Sequence, residues 1–215
     1  MAIDWKNRDD LDKINAQLKG LSAEDIVRWA LGLGKSTFTS TSFSPNSAVM
    51  LYLISRIDPS VPIVWVDTGY NVPDAYQTAE KIIQKLHLNI RVYNPLMSSE
   101  RRNALMGGIP HPADNPELHA EFTRQVKLEP FQRALDELKP EVWLTGIRRD
   151  ETEFRKTLDI VSVDNRGLIR VAPLFYWSEA DVADYMRSHD LPSCKHYFDP
   201  TKIGENTECG LHTSA

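Results

Sequence analysis

Residues 62–68 read PIVWVDT, an uninterrupted apolar run that ends in polar residues. A strand with apolar side chains at consecutive positions is typical of a parallel sheet that helices cover on both faces. Apolar residues at helical spacing precede this run at 48–54 and follow it at 75–86. Strands and helices that alternate in this way predict an α/β fold, with a parallel-type twisted sheet flanked by helices and connected by right-handed crossovers.

The remaining strands are predicted from composition and turn signals. Residues 36–43 are rich in Thr and Phe, and the runs at 89–93 and 141–146 are short and largely apolar, so each is expected to form a strand. Residues 159–174 predict a hairpin that turns at Asn165–Gly167.

The helices are predicted from spacing and from their starting residues. A first helix is expected within 11–21, and others begin after the capping residues Ser22 and Ser178 or at Pro73. Residues 107–117 hold two glycines and three prolines and predict a loop. The helix after this loop is expected to be interrupted by Pro130 and to end near Leu138.

Composition excludes several classes of protein. A length of 215 residues suits one domain, and the net charge of −5 argues against a general nucleic-acid binder. The polar start MAIDWKNRDDLDK does not look like a signal peptide, and no apolar stretch is long enough for a membrane span. The two cysteines, Cys194 and Cys209, are expected to be thiols in a cytoplasmic protein. Two cysteines are also too few for the four thiolates that usually hold an iron–sulfur cluster, so we expect no cluster and no metal.

Ligands on parallel sheets bind at the carboxyl ends of the strands, which directs attention to three loops. The first, TSFSPNSAV at 41–49, contains Ser42, Ser44 and Ser47 before a helix. Free backbone N–H groups and the helix dipole make such a turn suitable for an anion. The alternative is an ordinary capped helix start, which the loop taken alone favours.

The second loop, VDTGYNVPDAY at 66–76, follows the apolar strand. Asp67 could accept a hydrogen bond from a ribose or a purine, and Gly69 permits a sharp backbone turn. The alternative is a turn in which Asp67 merely joins strand to helix. Residue types alone leave both interpretations open.

The third loop, WLTGIRRDETEFRKTL at 143–158, concentrates positive charge in an acidic protein: Arg148, Arg149, Arg155 and Lys156. Guanidinium groups suit phosphate and sulfate oxygens, and the position at the sheet edge favours an anion site. The alternative is a solvated loop in which the cations pair with the neighbouring acids Asp150, Glu151 and Glu153. Lys127, within VKLEP, is open to the same two interpretations.

Together, TSFSPNSAV, VDTGYNVPDAY, VKLEPFQRAL, WLTGIRRDETEFRKTL and the terminal ECGLH resemble the 3'-phosphoadenylyl sulfate (PAPS) reductases, members of the adenine-nucleotide α-hydrolase-like, Rossmann-like folds. The resemblance implies a nucleotide-binding α/β domain over 1–190 and a mobile C-terminal tail over 191–215. It implies nucleotide contacts from the loop residues named above, with Cys209 of ECGLH as the catalytic nucleophile and His212 beside it.

The resemblance also implies a reaction in sulfate assimilation. The Cys209 thiolate attacks the terminal sulfur of PAPS, giving an S-sulfocysteine and adenosine 3',5'-bisphosphate, and an external dithiol of thioredoxin or glutaredoxin then releases sulfite. The arginine cluster and His212 are the groups that could raise the thiolate fraction of Cys209. No bound cofactor or iron–sulfur cluster is expected, and the family is often homodimeric.

Two rival functions stay open at this point. One is a reductase of adenylyl sulfate (APS) that works without a cluster, and the other is an adenine-nucleotide-binding module with no reductase chemistry. The second is favoured by a segment before ECGLH that is shorter than in the family. Cys194 is an additional cysteine, for which burial is the preferred interpretation and internal resolution of the S-sulfocysteine the alternative.

Overall fold

The structure, a computed structural model, describes residues 3–202 and residue 211. The strands in this part of the chain are β1 (Thr37–Thr41), β2 (Ile63–Val66), β3 (Ile90–Tyr93), β4 (Val142–Leu144), β5 (Val161–Val163) and β6 (Ile169–Val171). The helices are α1 (Arg8–Leu18), α2 (Ala23–Leu31), α3 (Ser47–Ile57), α4 (Pro73–Leu86), α5 (Ser99–Met106), α6 (Pro116–Thr123), α7 (Glu129–Leu138) and α8 (Glu179–Ser188).

The six strands form one sheet in the order β3-β2-β1-β4-β6-β5. Neighbours pair in parallel except β5, which runs antiparallel to β6. All four residues of β2 are buried, as expected for a strand covered on both faces. The predicted α/β fold, with its mostly parallel sheet and its terminal hairpin, is therefore confirmed.

Local capping explains where several helices begin. The hydroxyl of Ser22 accepts from the backbone N–H of Asp25 at 3.1 Å. Ser178 and Asp181 cap each other reciprocally at the start of α8. Pro73 occupies the first turn of α4, where its missing N–H leaves no helical hydrogen bond unmade. These predicted starts are confirmed, whereas α5 was not predicted, because its sequence SERRNALM has no apolar stripe.

The predicted interruption near Pro130 takes a different form. A π-helical turn spans Arg124–Leu128, and α7 begins immediately after it. Pro130 lies in the first turn of α7, where its ring disrupts nothing. The irregular turn therefore precedes the proline and contains Lys127. Such wide turns inside helices are frequent at functional sites.

Two apolar cores cover the two faces of the sheet. The larger core joins β2, β4 and β6 to α1–α4 and α8. The smaller core, called here the α7-side core, packs Phe38, Val64 and Trp143 against Phe131 of α7. The Trp143 ring lies 5.9 Å from that of Phe38 and 5.2 Å from that of Phe131. This packing fixes the strand ends from which the site loops depart.

A buried amide pairs with the outermost strand. Asn15 of α1 donates to the carbonyl of Val161 at 3.0 Å and accepts from its N–H at 2.7 Å. The Asn15 side chain thus supplies the two hydrogen bonds that a further strand would otherwise make with β5.

Candidate functional site

A cavity lies at the carboxyl ends of β1 and β4, and the predicted loops after these two strands form part of its lining. We call it the strand-end cavity. Its lining includes Ser42, Ser44 and Ser47 from the β1–α3 loop, Arg148 and Arg155 from the loop after β4, Lys127 from the π-helical turn, and Thr145, Gly146, Glu151, Asp199, Lys202 and Leu211. The position agrees with the general location of ligand sites on parallel sheets.

The β1–α3 loop has an unusual backbone. Phe43 is fully buried and has a φ of 50°, a left-handed conformation that costs free energy for a residue other than glycine. The hydroxyls of Ser44 and Ser47 lie 2.9 Å apart. Asn46, at the N-cap of α3, makes no side-chain capping bond and donates instead to Glu179 at 3.2 Å. Ser44 and Ser47 thus line the cavity at the start of α3, and no acidic side chain caps this end of the helix.

Two arginines contribute positive charge to the cavity wall. Arg148 is buried and donates from Nη2 to Glu179 at 2.6 Å and to Glu151 at 3.2 Å. Arg155 is also buried and forms an ion pair with Glu151. The hydrogen bonds from Arg148 and then Asn46 lower the pKa of Glu179, so this carboxylate stays ionised at neutral pH. The carboxylates hold both guanidinium groups in fixed positions at the cavity wall.

Lys127 forms a buried ion pair inside the cavity. Its ammonium contacts the carboxylate of Asp199 and lies 3.2 Å from the hydroxyl of Thr201. Burial opposes ionisation of Asp199, but the charge of Lys127 and the hydrogen bonds from Lys127 and Thr201 prevail and lower its pKa. A lone charge at this depth would be costly, and the pairing offsets that cost.

The segment after α8 brings Asp199 to this place. Ser193 donates to the carbonyl of Pro45 at 3.0 Å. The N–H groups of Lys195 and His196 donate to the carboxylate of Asp74, at the start of α4, at 2.7 and 2.9 Å. The residues after α8 therefore cross the carboxyl edge of the sheet and cover one side of the cavity.

Four predicted residues lie outside the cavity lining. Asp67 accepts from the N–H of Gly69 at 3.0 Å and from the Tyr76 hydroxyl at 2.6 Å, the turn geometry of the alternative interpretation. Gly69 has a φ of 79°, which glycine adopts without strain. Arg149 is exposed, and its backbone N–H donates to Phe175. Lys156 is exposed and pairs with Glu153.

Of the two cysteines, Cys194 lies within the described residues and Cys209 does not. His212 also lies outside the described residues. Cys194 is buried, as expected, and its Sγ lies 3.6 Å from the carbonyl oxygen of Phe43. Burial raises the pKa of the Cys194 thiol, so it stays protonated and unreactive at neutral pH.

Sequence reasoning missed Asp199 and Leu211 as members of the site. Asp199 stands in YFDPTK with no helical or strand pattern around it, and only the chain path brings it to Lys127. Leu211 belongs to the ECGLH motif, but the sequence did not predict its burial in the α7-side core. Gly146 offered a signal two residues after the end of β4, since a glycine at a strand end allows a ligand or another chain segment to come close.

Comparison with known proteins decides the family. Residues 36–204 match the family model described as phosphoadenosine phosphosulfate reductase domain. The chain belongs to this family. It is 37% identical over 183 residues to a phosphoadenosine 5'-phosphosulfate reductase of Synechococcus sp., covering 85% of this chain and 78% of the relative. The corresponding protein of Xanthomonas euvesicatoria is 39% identical over 194 residues, covering 86% and 76%.

Solved structures agree with this family and with its fold. A PAPS reductase of Candida auris in a phosphate complex superposes with a TM-score of 0.76 and 27% identity, covering 88% of this chain and 90% of the other. The FMN adenylyltransferase of Candida glabrata, at 14% identity and a TM-score of 0.54 over 74% of this chain and 49% of its own, shares the fold alone. The residues matched to the reductase family include every cavity residue named above except Leu211.

Residues 3–202 and 211 contain no group of three or more His, Cys, Asp or Glu side chains that could hold a metal ion. None of the helices formed by these residues is both long and apolar enough to cross a lipid bilayer.

Proposed function

We propose that this protein reduces PAPS to sulfite and adenosine 3',5'-bisphosphate, with Cys209 as nucleophile and a thioredoxin-type dithiol as reductant. The observation that carries the proposal is the convergence of Lys127, Arg148 and Arg155 on one cavity at the carboxyl edge of the sheet, in a member of the PAPS reductase family. All three are buried, and buried cations at a cavity wall bind phosphate or sulfate more strongly than exposed ones.

The cavity suits a nucleotide that carries several anionic groups. The serine hydroxyls and first turn of α3 can donate to one anionic group, as helix N-termini commonly do for phosphates. Arg148 and Arg155 can offer guanidinium N–H donors to another. The Candida auris relative was solved as a phosphate complex, which supports an anion site in this fold.

The chemistry proceeds in two balanced steps. The Cys209 thiolate attacks the sulfur of the sulfonate group, the bond from that sulfur to the phosphate oxygen breaks, and adenosine 3',5'-bisphosphate leaves. A dithiol thiolate then attacks Sγ of the S-sulfocysteine and expels sulfite, and the second thiol resolves the mixed disulfide. The dithiol loses two electrons, and the sulfur passes from sulfate to sulfite.

We assign to the cations of the cavity the role of raising the thiolate fraction of Cys209. A free cysteine has a pKa of about 8.5, so a small fraction is thiolate at neutral pH. Leu211 lines the same cavity as Arg148 and Arg155, and Cys209 precedes Leu211 by two residues in the chain. We propose that these cations, together with His212, lower the pKa of Cys209.

The proposal includes the remaining family properties. Residues 1–190 form the nucleotide-binding domain, and 191–215 form the tail that carries the nucleophile. No iron–sulfur cluster takes part, and the reducing cytoplasm is the compartment in which a catalytic thiol of this kind persists.

Sulfite release from PAPS and from APS, each with thioredoxin present, tests the proposal. We expect release from PAPS and none from the Cys209→Ser variant. Incubation of the wild type with PAPS but without dithiol should leave one sulfonate group on the peptide that contains Cys209, detected by mass spectrometry and removed by thioredoxin. Preference for APS would reassign the substrate, and nucleotide binding without sulfite release would favour a binding module.

A further inference from the structure

We propose that Arg102 of α5 is a positioning residue for Lys127. Its buried guanidinium acts through Gln125 and holds the π-helical turn in the conformation that places Lys127 at the strand-end cavity. Its effect on nucleotide binding rests on the proposed function, in which the nucleotide occupies this cavity. Arg102 is not among the residues that line the cavity, so it is assigned no contact with the nucleotide.

The first observation is the environment of Arg102. Its exposed fraction is 1%, yet it forms no ion pair with any residue in 3–202 or with residue 211. Its Nε donates to Oε1 of Gln125 at 3.1 Å and its Nη2 to the carbonyl of Met97 at 2.8 Å. Nη1 is buried and has no hydrogen-bond partner among the same residues. Because burial of a charge without a counter-charge is costly, the bond to Gln125 is one of only two that compensate for it there.

The second observation is that the Gln125 amide is held at both ends. While its Oε1 accepts from Arg102, its Nε2 donates to Glu121 of α6 at 2.8 Å. Glu121 also accepts from Arg124 in two hydrogen bonds of 2.7 Å. The amide therefore connects a guanidinium to a carboxylate, and both of its hydrogen bonds are of the stronger, charge-assisted kind. Gln125 is fixed in place at the start of the π-helical turn.

The position of α5 is set by contacts that do not involve Arg102. Tyr70, in the loop after β2, donates from its hydroxyl to Oδ1 of Asn103 at 2.8 Å and lies 3.4 Å from the carbonyl of Ser99. The Tyr70 ring also packs against Phe122 of α6, with ring centres 5.3 Å apart. These contacts attach α5 to the strand-end loop after β2. Arg102 thus projects from a fixed helix, and its bond to Gln125 transmits that position to the π-helical turn.

The π-helical turn needs such support because regular α-helix competes with it. Turns of this type are rare and occur mostly as single insertions within α-helices. Closure into a regular α-helix would change the register by one residue and turn Lys127 by about 100° relative to a flanking helix. Its ammonium would then leave Asp199 and the cavity wall. Residues two apart lie on roughly opposite sides of a helix, so Arg102 can hold Gln125 on one side while Lys127 meets Asp199 on the other.

A double-mutant cycle in urea tests this role without any ligand. Asp199→Asn should destabilise the protein, because the Lys127 ammonium loses the carboxylate with which it pairs. We expect this loss to be roughly halved in an Arg102→Met background, because Lys127 is then no longer held beside residue 199. Arg101→Met, at the neighbouring exposed arginine, is the matched control and should leave the loss unchanged. An Asp199→Asn loss of equal size with and without Arg102→Met would overturn the proposal.

Calorimetric titration with PAPS provides a second readout. Arg102→Met should weaken binding about tenfold in the wild-type background, as expected for loss of one charge-assisted hydrogen bond from Lys127. In a Lys127→Met background it should change the Kd by no more than about twofold, because the group it positions is absent. Gln125→Glu keeps an oxygen that accepts from Arg102, so it should bind PAPS within about twofold of wild type. Equal weakening by Arg102→Met in both backgrounds would contradict a role through Lys127.

The two readouts separate this inference from the proposed function. A wild type that does not bind PAPS contradicts the proposed function, whereas coupling between Arg102 and Asp199 in urea still supports the positioning role. Additive effects in urea together with normal PAPS binding by the wild type reject the positioning role alone. Gln125→Met breaks the same connection from the side of the π-helical turn, so it replaces Arg102→Met in both cycles should that variant fail to fold.

Discussion

Lys127 and Asp199 form a buried ion pair at the wall of the cavity where the nucleotide is proposed to bind. Their side chains are only 7% and 6% exposed, and 72 residues separate them in the chain. The pair joins the π-helical turn to the segment that follows α8. An anionic ligand that approaches Lys127 therefore meets a carboxylate already bound to it, and the two negative groups compete for one ammonium.

Replacement of Asp199 by Asn should change nucleotide affinity and protein stability in opposite directions. We expect tighter nucleotide binding by calorimetry, because Lys127 loses its competing anion. We also expect the free protein to lose about 3–5 kcal/mol of unfolding free energy in urea, because a buried charge is left without its counter-charge. Asp190→Asn, at an exposed ion pair with Lys85, is the matched control. Weaker nucleotide binding in Asp199→Asn would show that the carboxylate helps to hold the ligand.

The same pair predicts a dependence of stability on pH. The pKa of Asp199 is lowered in the folded protein, so folding favours the ionised carboxylate. Its contribution is fully present above the unfolded pKa of about 3.9 and is lost as the pH falls through the lower folded value. Urea unfolding of wild type and Asp199→Asn should therefore give a stability difference that shrinks below about pH 4. A difference that is constant from neutral to acidic pH would contradict this assignment.

The arginines after β4 should differ in their effect on nucleotide binding. Arg148 and Arg155 line the cavity, whereas Arg149 is exposed and outside the lining. Loss of one charge-assisted hydrogen bond costs about 1.5–3 kcal/mol, or roughly tenfold or more in affinity. We expect Arg148→Gln and Arg155→Gln to weaken binding by that amount in calorimetric titration, and Arg149→Gln to change it little. Equal losses in all three variants would indicate a diffuse electrostatic effect that salt should abolish.

Cys194 should be dispensable for the reaction. Burial raises the pKa of its thiol, so iodoacetamide should label Cys194 only after unfolding. Cys194→Ala should keep sulfite release near the wild-type rate, while Cys209→Ser should lose it. A sulfonate adduct on Cys194, or loss of turnover in Cys194→Ala, would assign this thiol a part in resolving the intermediate.

Asn15 should contribute to stability through the edge of the sheet. Asn15→Ala leaves the N–H and carbonyl of Val161 without their side-chain partner, and each unsatisfied buried group costs about 1–3 kcal/mol. We expect a lower unfolding free energy in urea with an unchanged m value. Gln17→Ala, on the exposed side of the same helix, should have little effect. Equal unfolding free energies for Asn15→Ala and Gln17→Ala would show that the contact between Asn15 and Val161 does not stabilise the protein.

The sequence by itself determined the architecture of this protein. The apolar run at 62–68 predicted the buried strand, and Ser22, Pro73 and Ser178 predicted where helices begin. These features succeed because strand periodicity, capping and proline geometry act between residues that are close in the chain. The family motifs likewise predicted the region of the cavity, since the carboxyl ends of parallel strands meet at one edge.

Only the tertiary structure decided which charged residues meet in that cavity. Arg148 and Arg149 are neighbours in the chain, yet one is buried at the cavity and the other faces solvent. Asp199 and Leu211 stand in segments without periodicity, and their partners Lys127 and Arg166 are distant in sequence. Such contacts depend on the path of the folded chain and on the balance of desolvation against pairing at each position, and no local pattern encodes either.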